Sequence, residues 1–150
     1  MAFEKPDGTL IGFARTVWAA IDMETRRPTN VLELEGLLDY KLEQELPIAG
    51  TRKIPQIKDE EPAGKFTIRY SDIDINGHLN SMKYIEHFVD MFDIDMFKKK
   101  NIRRFEINYI NEALFGTRLY LYKKEESNDT YILEMKNDDV VISSSRIVWE

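Results

Sequence analysis

From Lys65 onward the apolar positions follow two successive periods. Phe66, Ile68 and Tyr70 alternate with polar neighbours, which predicts a short, half-buried strand. Met82, Ile85, Val89, Phe92 and Met96 then recur every three or four residues, with Lys83, Glu86, Asp90 and Asp93 falling largely off that stripe. This is the period of one amphipathic helix, with Asn80 or Ser81 available to cap its start. Neither Gly nor Pro interrupts the chain between Leu79 and Phe115. Four extended runs follow at 104–109, 118–124, 131–136 and 140–149, bounded by turn residues such as Asn111, Gly116, Ser127-Asn128-Asp129 and Asn137-Asp138-Asp139. Short loops between consecutive strands favour an antiparallel sheet, and one long striped helix must bury its apolar face against it. The predicted class is α+β, an antiparallel sheet wrapped around one long helix.

The first part of the chain has a different texture. Pro6-Asp7-Gly8 is a strong turn signal before an extended-looking run from Leu10 to Met23, so a hairpin is predicted. Only Met1 to Lys5 precede the turn, which is short for a partner strand and suggests that the chain begins inside a structural unit. A second turn at Arg26-Arg27-Pro28 leads to a predicted amphipathic helix over 31–46, interrupted by Gly36. Residues 47–64 carry Pro47, Gly50, Pro55, Pro62 and Gly64 among charges and read as a linker. The expected division is therefore 1–46, a linker at 47–64, and a domain at 65–150.

Composition narrows the function. A length of 150 residues, 43% hydrophobic, suits one ordinary core plus something extra. The longest apolar runs fall far short of the roughly 20 residues of a membrane helix, and no signal peptide is visible, so a soluble cytoplasmic protein without a membrane span is expected. A net charge of -6 argues against nucleic-acid binding. The charge is uneven, however: Lys98, Lys99, Lys100, Arg103 and Arg104 place five cations within seven positions, either a solvated helix end or a surface for an anionic partner. The absence of cysteine excludes a thiolate nucleophile, a disulfide framework and any Cys-type zinc site.

The polar segment Asp72-Ile-Asp74-Ile-Asn76-Gly-His78-Leu-Asn80 carries the candidate chemistry. Asp72, Asp74, Asn76 and His78 stand at strict two-residue spacing, so in an extended chain they project to one side. The predicted helix starts immediately after, and its unpaired N–H groups can favour a developing oxyanion. An ordinary polar turn, with Asp and Asn bonding nearby backbone, is the competing reading. His87 lies nine residues beyond His78, about 180° away around a helix, and is read as structural. No HExxH, GxSxG, GxGxxG or phosphate-loop pattern occurs, so no metal or cofactor is expected and activation of water by a carboxylate or imidazole remains.

The stretch from Arg69 to Tyr84, with its pattern DxDxNxHxN…Y, resembles the second hot-dog domain of acyl-acyl carrier protein thioesterases of plants and bacteria. The likeness continues through Phe105-Glu-Ile-Asn-Tyr-Ile-Asn-Glu112, and reaches upstream to Trp18, Thr25-Arg26-Arg27 and Lys53-Ile54-Pro55. The resemblance implies a hot-dog fold at 65–150, with 1–46 as the tail of a first such domain, and pairing of hot-dog domains as a homodimer or pseudo-dimer. It also implies hydrolysis of a fatty acyl thioester on acyl carrier protein, with Asp74, Asn76, His78 and Glu112 as the catalytic set. In related acyl-CoA enzymes the first Asp of a similar DxD acts, so Asp72 stays a candidate beside Asp74. Ala113 stands where plant relatives often carry a Cys, which rules out a cysteine mechanism but leaves the adjacent carboxylate. Leu79 and Asn80 would contribute to polarising the thioester carbonyl, and Phe88, Phe92 and Met96 could line the acyl chain or pack in the core. Lys98, Lys99, Lys100, Arg103 and Arg104, with Arg26 and Arg27, are the candidate surface for an acidic carrier protein. An acyl-CoA thioesterase and a non-catalytic acyl-binding or assembly module are the alternatives.

Overall fold

The structure, a computed structural model, describes residues 1–22, 24–25, 27–31, 36, 39 and 47–150. The chain divides into two compact units, Met1–Thr51 and Arg52–Glu150.

In the first unit β1 (Ala2–Glu4) pairs antiparallel with β2 (Leu10–Phe13). The turn between them is held by Gly8 N–H donating to Lys5 O at 2.9 Å and Thr9 N–H donating to the Asp7 carboxylate at 2.9 Å. The predicted hairpin forms, and the few residues before the turn suffice as a partner. A second short pairing joins β3 (Ala20–Ile21) to β4 (Pro28–Thr29). The helix predicted over 31–46 lies, apart from Val31, Gly36 and Asp39, outside the described residues.

The second unit is built on a five-stranded antiparallel sheet. Its strands are β5 (Gly64–Thr67), β6 (Ile102–Tyr109), β7 (Arg118–Ser127), β8 (Thr130–Asn137) and β9 (Val140–Trp149), in the order β5-β7-β8-β9-β6. The turns at Asp129 and Asp138 reach φ of 60° and 51°, a conformation Asp tolerates better than most residues. Leu119, Leu133, Met135, Ile147 and Trp149 are buried on the inner face against Tyr84, Phe88 and Phe92. The buried hydroxyls of Ser143 and Ser145 donate to Asn108 O at 2.9 Å and Glu106 O at 2.7 Å, so these serines fasten β9 to β6.

The helical stretch differs from the single helix predicted. It is split into α1 (Ser81–Val89) and α2 (Ile94–Lys99), and Asp93 between them is extended, with φ -68° and ψ 148°. Aspartates favour helix ends over helix interiors because their side chains compete for backbone N–H groups, and two of them stand within this junction. The buried stripe is also rotated: Tyr84, Phe88 and Phe92 face the sheet, while Met82 is 56% exposed. Three aromatic rings spaced four residues apart bury more apolar area than Met82, Ile85 and Val89 would.

The segment predicted as a linker behaves differently along its length. From Arg52 it belongs with the sheet, and Ile54 and Ile57 are buried on the outer face against Ile132, with Tyr122 alongside. Lys136 Nζ fastens it by donating to Ile57 O at 2.8 Å. Among the described residues no helix is long and apolar enough to cross a membrane.

Candidate active site

The segment from Asp72 to Asn80 is not extended, so the expected one-sided projection of its polar side chains is replaced by a more compact arrangement. Tyr70–Asp72 form a 3-10 turn in which Arg69 N–H donates to the Asp72 carboxylate at 2.8 Å. A tight hairpin follows, with Ile73 bridging Leu79, Asp74 N–H donating to His78 O at 2.8 Å, and Gly77 N–H donating to Asp74 O at 3.0 Å. Gly77 closes the turn at φ +79°, a conformation that a Cβ disfavours.

Within this hairpin the side chains take distinct tasks. Asp74 Oδ1 accepts from Asn76 N–H at 2.8 Å and His78 N–H at 3.3 Å, so this carboxylate shapes the loop. Asn80 accepts from Met82 N–H at 2.9 Å and caps α1, as predicted. Asn80 N–H in turn donates to Asp72 O at 2.8 Å, joining the 3-10 turn to the helix start. Leu79 is buried in the core, whereas Asn76 is exposed at the tip.

Glu112, which follows β6, is brought to this loop by backbone contacts. Leu79 N–H donates to Ala113 O at 2.8 Å, and His78 bridges Leu114. The result is a contact of 3.3 Å between His78 Nε2 and Glu112 Oε2, with Glu112 more than half exposed and open to water. Two side chains 34 positions apart thus meet beside the start of a helix. An imidazole and a carboxylate at this distance can orient each other and take a proton from a bound water.

Tyr84 and Tyr109 complete the surroundings. Their rings meet edge-on, with centroids 5.2 Å apart, and Tyr109 Oη donates to Ser81 O at 3.2 Å. The Tyr84 phenol is pushed up to about 12, first by burial and then by Tyr109, Glu112 and Asp74 nearby. Tyr109 was not singled out by its spacing, although Phe105, Ile107 and Tyr109 alternate onto one face of β6 and that alternation carried the signal. His87 lies away from the pair: its ring stacks on Phe66 at 3.6 Å, and burial lowers its pKa against the opposing pull of Asp72. Among the described residues no group of three or more His, Cys, Asp or Glu could hold a metal ion.

The basic cluster is not brought to the site. Lys98 and Lys99 end α2, and Arg103 and Arg104 begin β6, whereas Tyr109 ends that strand. Five residue steps separate Arg104, the nearest of these cations along the strand, from Tyr109, roughly 17 Å at about 3.4 Å per residue. Several of the cations are also held by local carboxylates: Lys98 by Asp95 at 3.0 Å, Lys100 by Asp129, Arg103 by Glu150 at 3.8 Å and Arg104 by Glu106 at 2.6 Å. Arg26 lies outside the described residues. Phe88 and Phe92 are core residues, and Met96 packs against them. A cavity of about 720 Å³ lies on the outer face under residues 53–58, lined by Ile54, Asn108, Glu134 and Ser144, and shares no residue with the His78–Glu112 loop.

Residues 56–150 match the family described as the acyl-ACP thioesterase C-terminal domain. The chain is similar to an acyl-ACP thioesterase from Bacteroides thetaiotaomicron, with 39% identity and a TM-score of 0.90 over 99% of this chain and 60% of that one. It is also similar to the 12:0-ACP thioesterase of Umbellularia californica, at 18% identity and a TM-score of 0.73 over 87% of this chain and 52% of that one. Over 112 residues it is 24% identical to the chloroplastic palmitoyl-acyl carrier protein thioesterase of Arabidopsis thaliana, covering 71% of this chain and 27% of that protein. The chain therefore spans about 60% or less of the length of these relatives.

Proposed function

Since the chain belongs to the acyl-ACP thioesterase family and has its hot-dog fold, we propose that it hydrolyses a fatty acyl thioester carried on acyl carrier protein. The observation that carries this reading is the contact of 3.3 Å between His78 Nε2 and Glu112 Oε2 beside the start of α1. Glu112 takes a proton from water while His78 orients its carboxylate, and the water oxygen adds to the thioester carbonyl. The Asn76 side chain and the Ser81 backbone N–H at the first position of α1 polarise that carbonyl and stabilise the oxyanion, whereas the N–H groups of Leu79 and Asn80 are taken by Ala113 O and Asp72 O. Collapse of the adduct breaks the C–S bond, and the proton taken from water passes to the departing thiolate, leaving a free fatty acid and the carrier thiol.

Asp74 supports this arrangement through the backbone, since its carboxylate holds the His78 N–H; Asp72 braces the preceding turn. Pairing with a second hot-dog domain belongs to the same proposal, as does the assignment of 1–46 to the tail of another such domain. Among the described residues β6 is an edge strand, flanked by β9, which suits it to that pairing.

The test is turnover of an acyl-acyl carrier protein thioester by this chain and by its His78→Gln and Glu112→Gln variants, with the acyl-CoA ester in parallel. Each substitution is expected to lower turnover by about 10²- to 10⁴-fold, the usual contribution of a positioned acid or base. Full activity of Glu112→Gln would remove the proposed base. Faster hydrolysis of acyl-CoA would transfer the activity to the CoA ester, and acyl binding without turnover by the native chain would favour a binding module.

A further inference from the structure

Glu112 follows the end of β6 between two attachments to the helix start. Beyond it, Leu79 N–H donates to Ala113 O at 2.8 Å. Before it stands Tyr109, on the inner face of β6, whose hydroxyl donates to Ser81 O at 3.2 Å and whose ring lies edge-on against buried Tyr84. Tyr109 precedes Glu112 by three residues, and Ser81 follows His78 by three. The two attachments therefore flank Glu112 on its own segment, and both join it to the residues that directly follow His78.

We infer that Tyr109 is a positioning residue, whose hydroxyl bond to Ser81 O sets the separation of His78 and Glu112. This inference rests on the reading of His78 and Glu112 as the reacting pair. Without the Tyr109 bond the residues just before Glu112 keep their bonds to β9, from Ile110 and Asn111 N–H to Ile142 O at 2.9 and 3.0 Å, and lose this one to the helix start. A contact of 3.3 Å is already near the outer limit of a useful hydrogen bond, so a displacement of about 1 Å breaks it. Ser81 O can accept this bond in addition to its helical partner, because a carbonyl offers two lone pairs. Tyr84 supplies the wall against which the Tyr109 ring is fixed, and the charges of Glu112 and Asp74 act on the Tyr84 phenol, which puts these groups in one neighbourhood.

Tyr109→Phe keeps the ring and its contact with Tyr84 while removing one hydrogen bond, and it is to be read by the NMR resonances of the His78 imidazole. Glu112→Gln is expected to move those resonances, and Tyr109→Phe to move them in the same direction by at least half as much. Turnover of the acyl-carrier thioester by Tyr109→Phe is expected to fall about tenfold through kcat, with KM within about twofold. The unfolding midpoint should fall by no more than about 4–8 °C, the effect of one hydrogen bond. Unmoved His78 resonances in Tyr109→Phe would overturn the inference, whether or not the midpoint falls. So would resonances that Glu112→Gln itself leaves in place. Resonances that move as expected in a chain with no thioesterase activity would uphold the positioning role and instead remove the proposed reaction.

Discussion

His87 and His78 show how position decides what one residue type does. His78 stands in the loop against Glu112, whereas His87 is packed flat on Phe66, where burial disfavours its charged form. Its pKa is lowered from 6.5 in the folded chain, so between 6.5 and that lower value the unfolded chain binds more protons than the folded one. Stability is therefore lost as pH falls below about 6.5, and the loss levels off once the buried imidazole itself titrates. His87→Phe retains the stack and removes this proton uptake. Its stability relative to the native chain is expected to rise as pH falls through that window, followed by urea unfolding at a series of pH values. Parallel curves would show that His87 has no part in the acid response. The same physics separates what was legible from what was not: His87 as a structural residue follows from its place on a helix, whereas Glu112 enters beside His78 through the family resemblance and their contact across 34 residues required the fold.

At the scale of elements, the start of α1 is where local sequence and function meet. Asn80 caps the helix, and its backbone N–H also holds the 3-10 turn through Asp72 O. Asn80→Ala is expected to cost about 1 kcal/mol in chemical unfolding, within the usual range for a lost cap. Asn80→Ser, which restores an acceptor, should recover most of it, and equal losses in the two variants would argue against capping. The capping residue was readable because the rule is local. The break between α1 and α2 was not, because the apolar period runs on through Asp90 and Asp93, and only the packing of Tyr84, Phe88 and Phe92 on the sheet selects the buried face. The polar loop shows a similar limit: alternation at Asp72, Asp74, Asn76 and His78 implies a common side only for extended chain, and Asp74 instead folds back onto the N–H groups of Asn76 and His78.

At the scale of the molecule, residues 52–63 belong to the sheet they cross. Ile54 and Ile57 are buried against Ile132, and Lys136 holds Ile57 O. A chain beginning at Arg52 is expected to fold and unfold cooperatively. One beginning at Lys65 should be less stable by about 3–6 kcal/mol, the loss of two buried isoleucine side chains at about 1.5–3 kcal/mol each. Circular dichroism during urea unfolding compares the two, and equal midpoints would show that the segment contributes nothing to the sheet. Pro55 and Pro62 mark this stretch as irregular, which it is; irregular backbone can still bury side chains, and composition alone does not distinguish the two cases.

The sequence by itself determined the order of strands around a helical stretch, the turn positions, the helix cap and the family-like segment from Arg69 to Tyr84, because each depends on residues within a few positions of one another. The tertiary structure decided the meeting of His78 with Glu112, the brace from Tyr109 to Ser81, and the separation of the Lys98–Arg104 cluster from that site. These depend on the register of β6 against β9 and on which face of α1 meets the sheet. Such long-range pairings are selected by the burial of the whole core and leave no mark on the spacing of the residues they join.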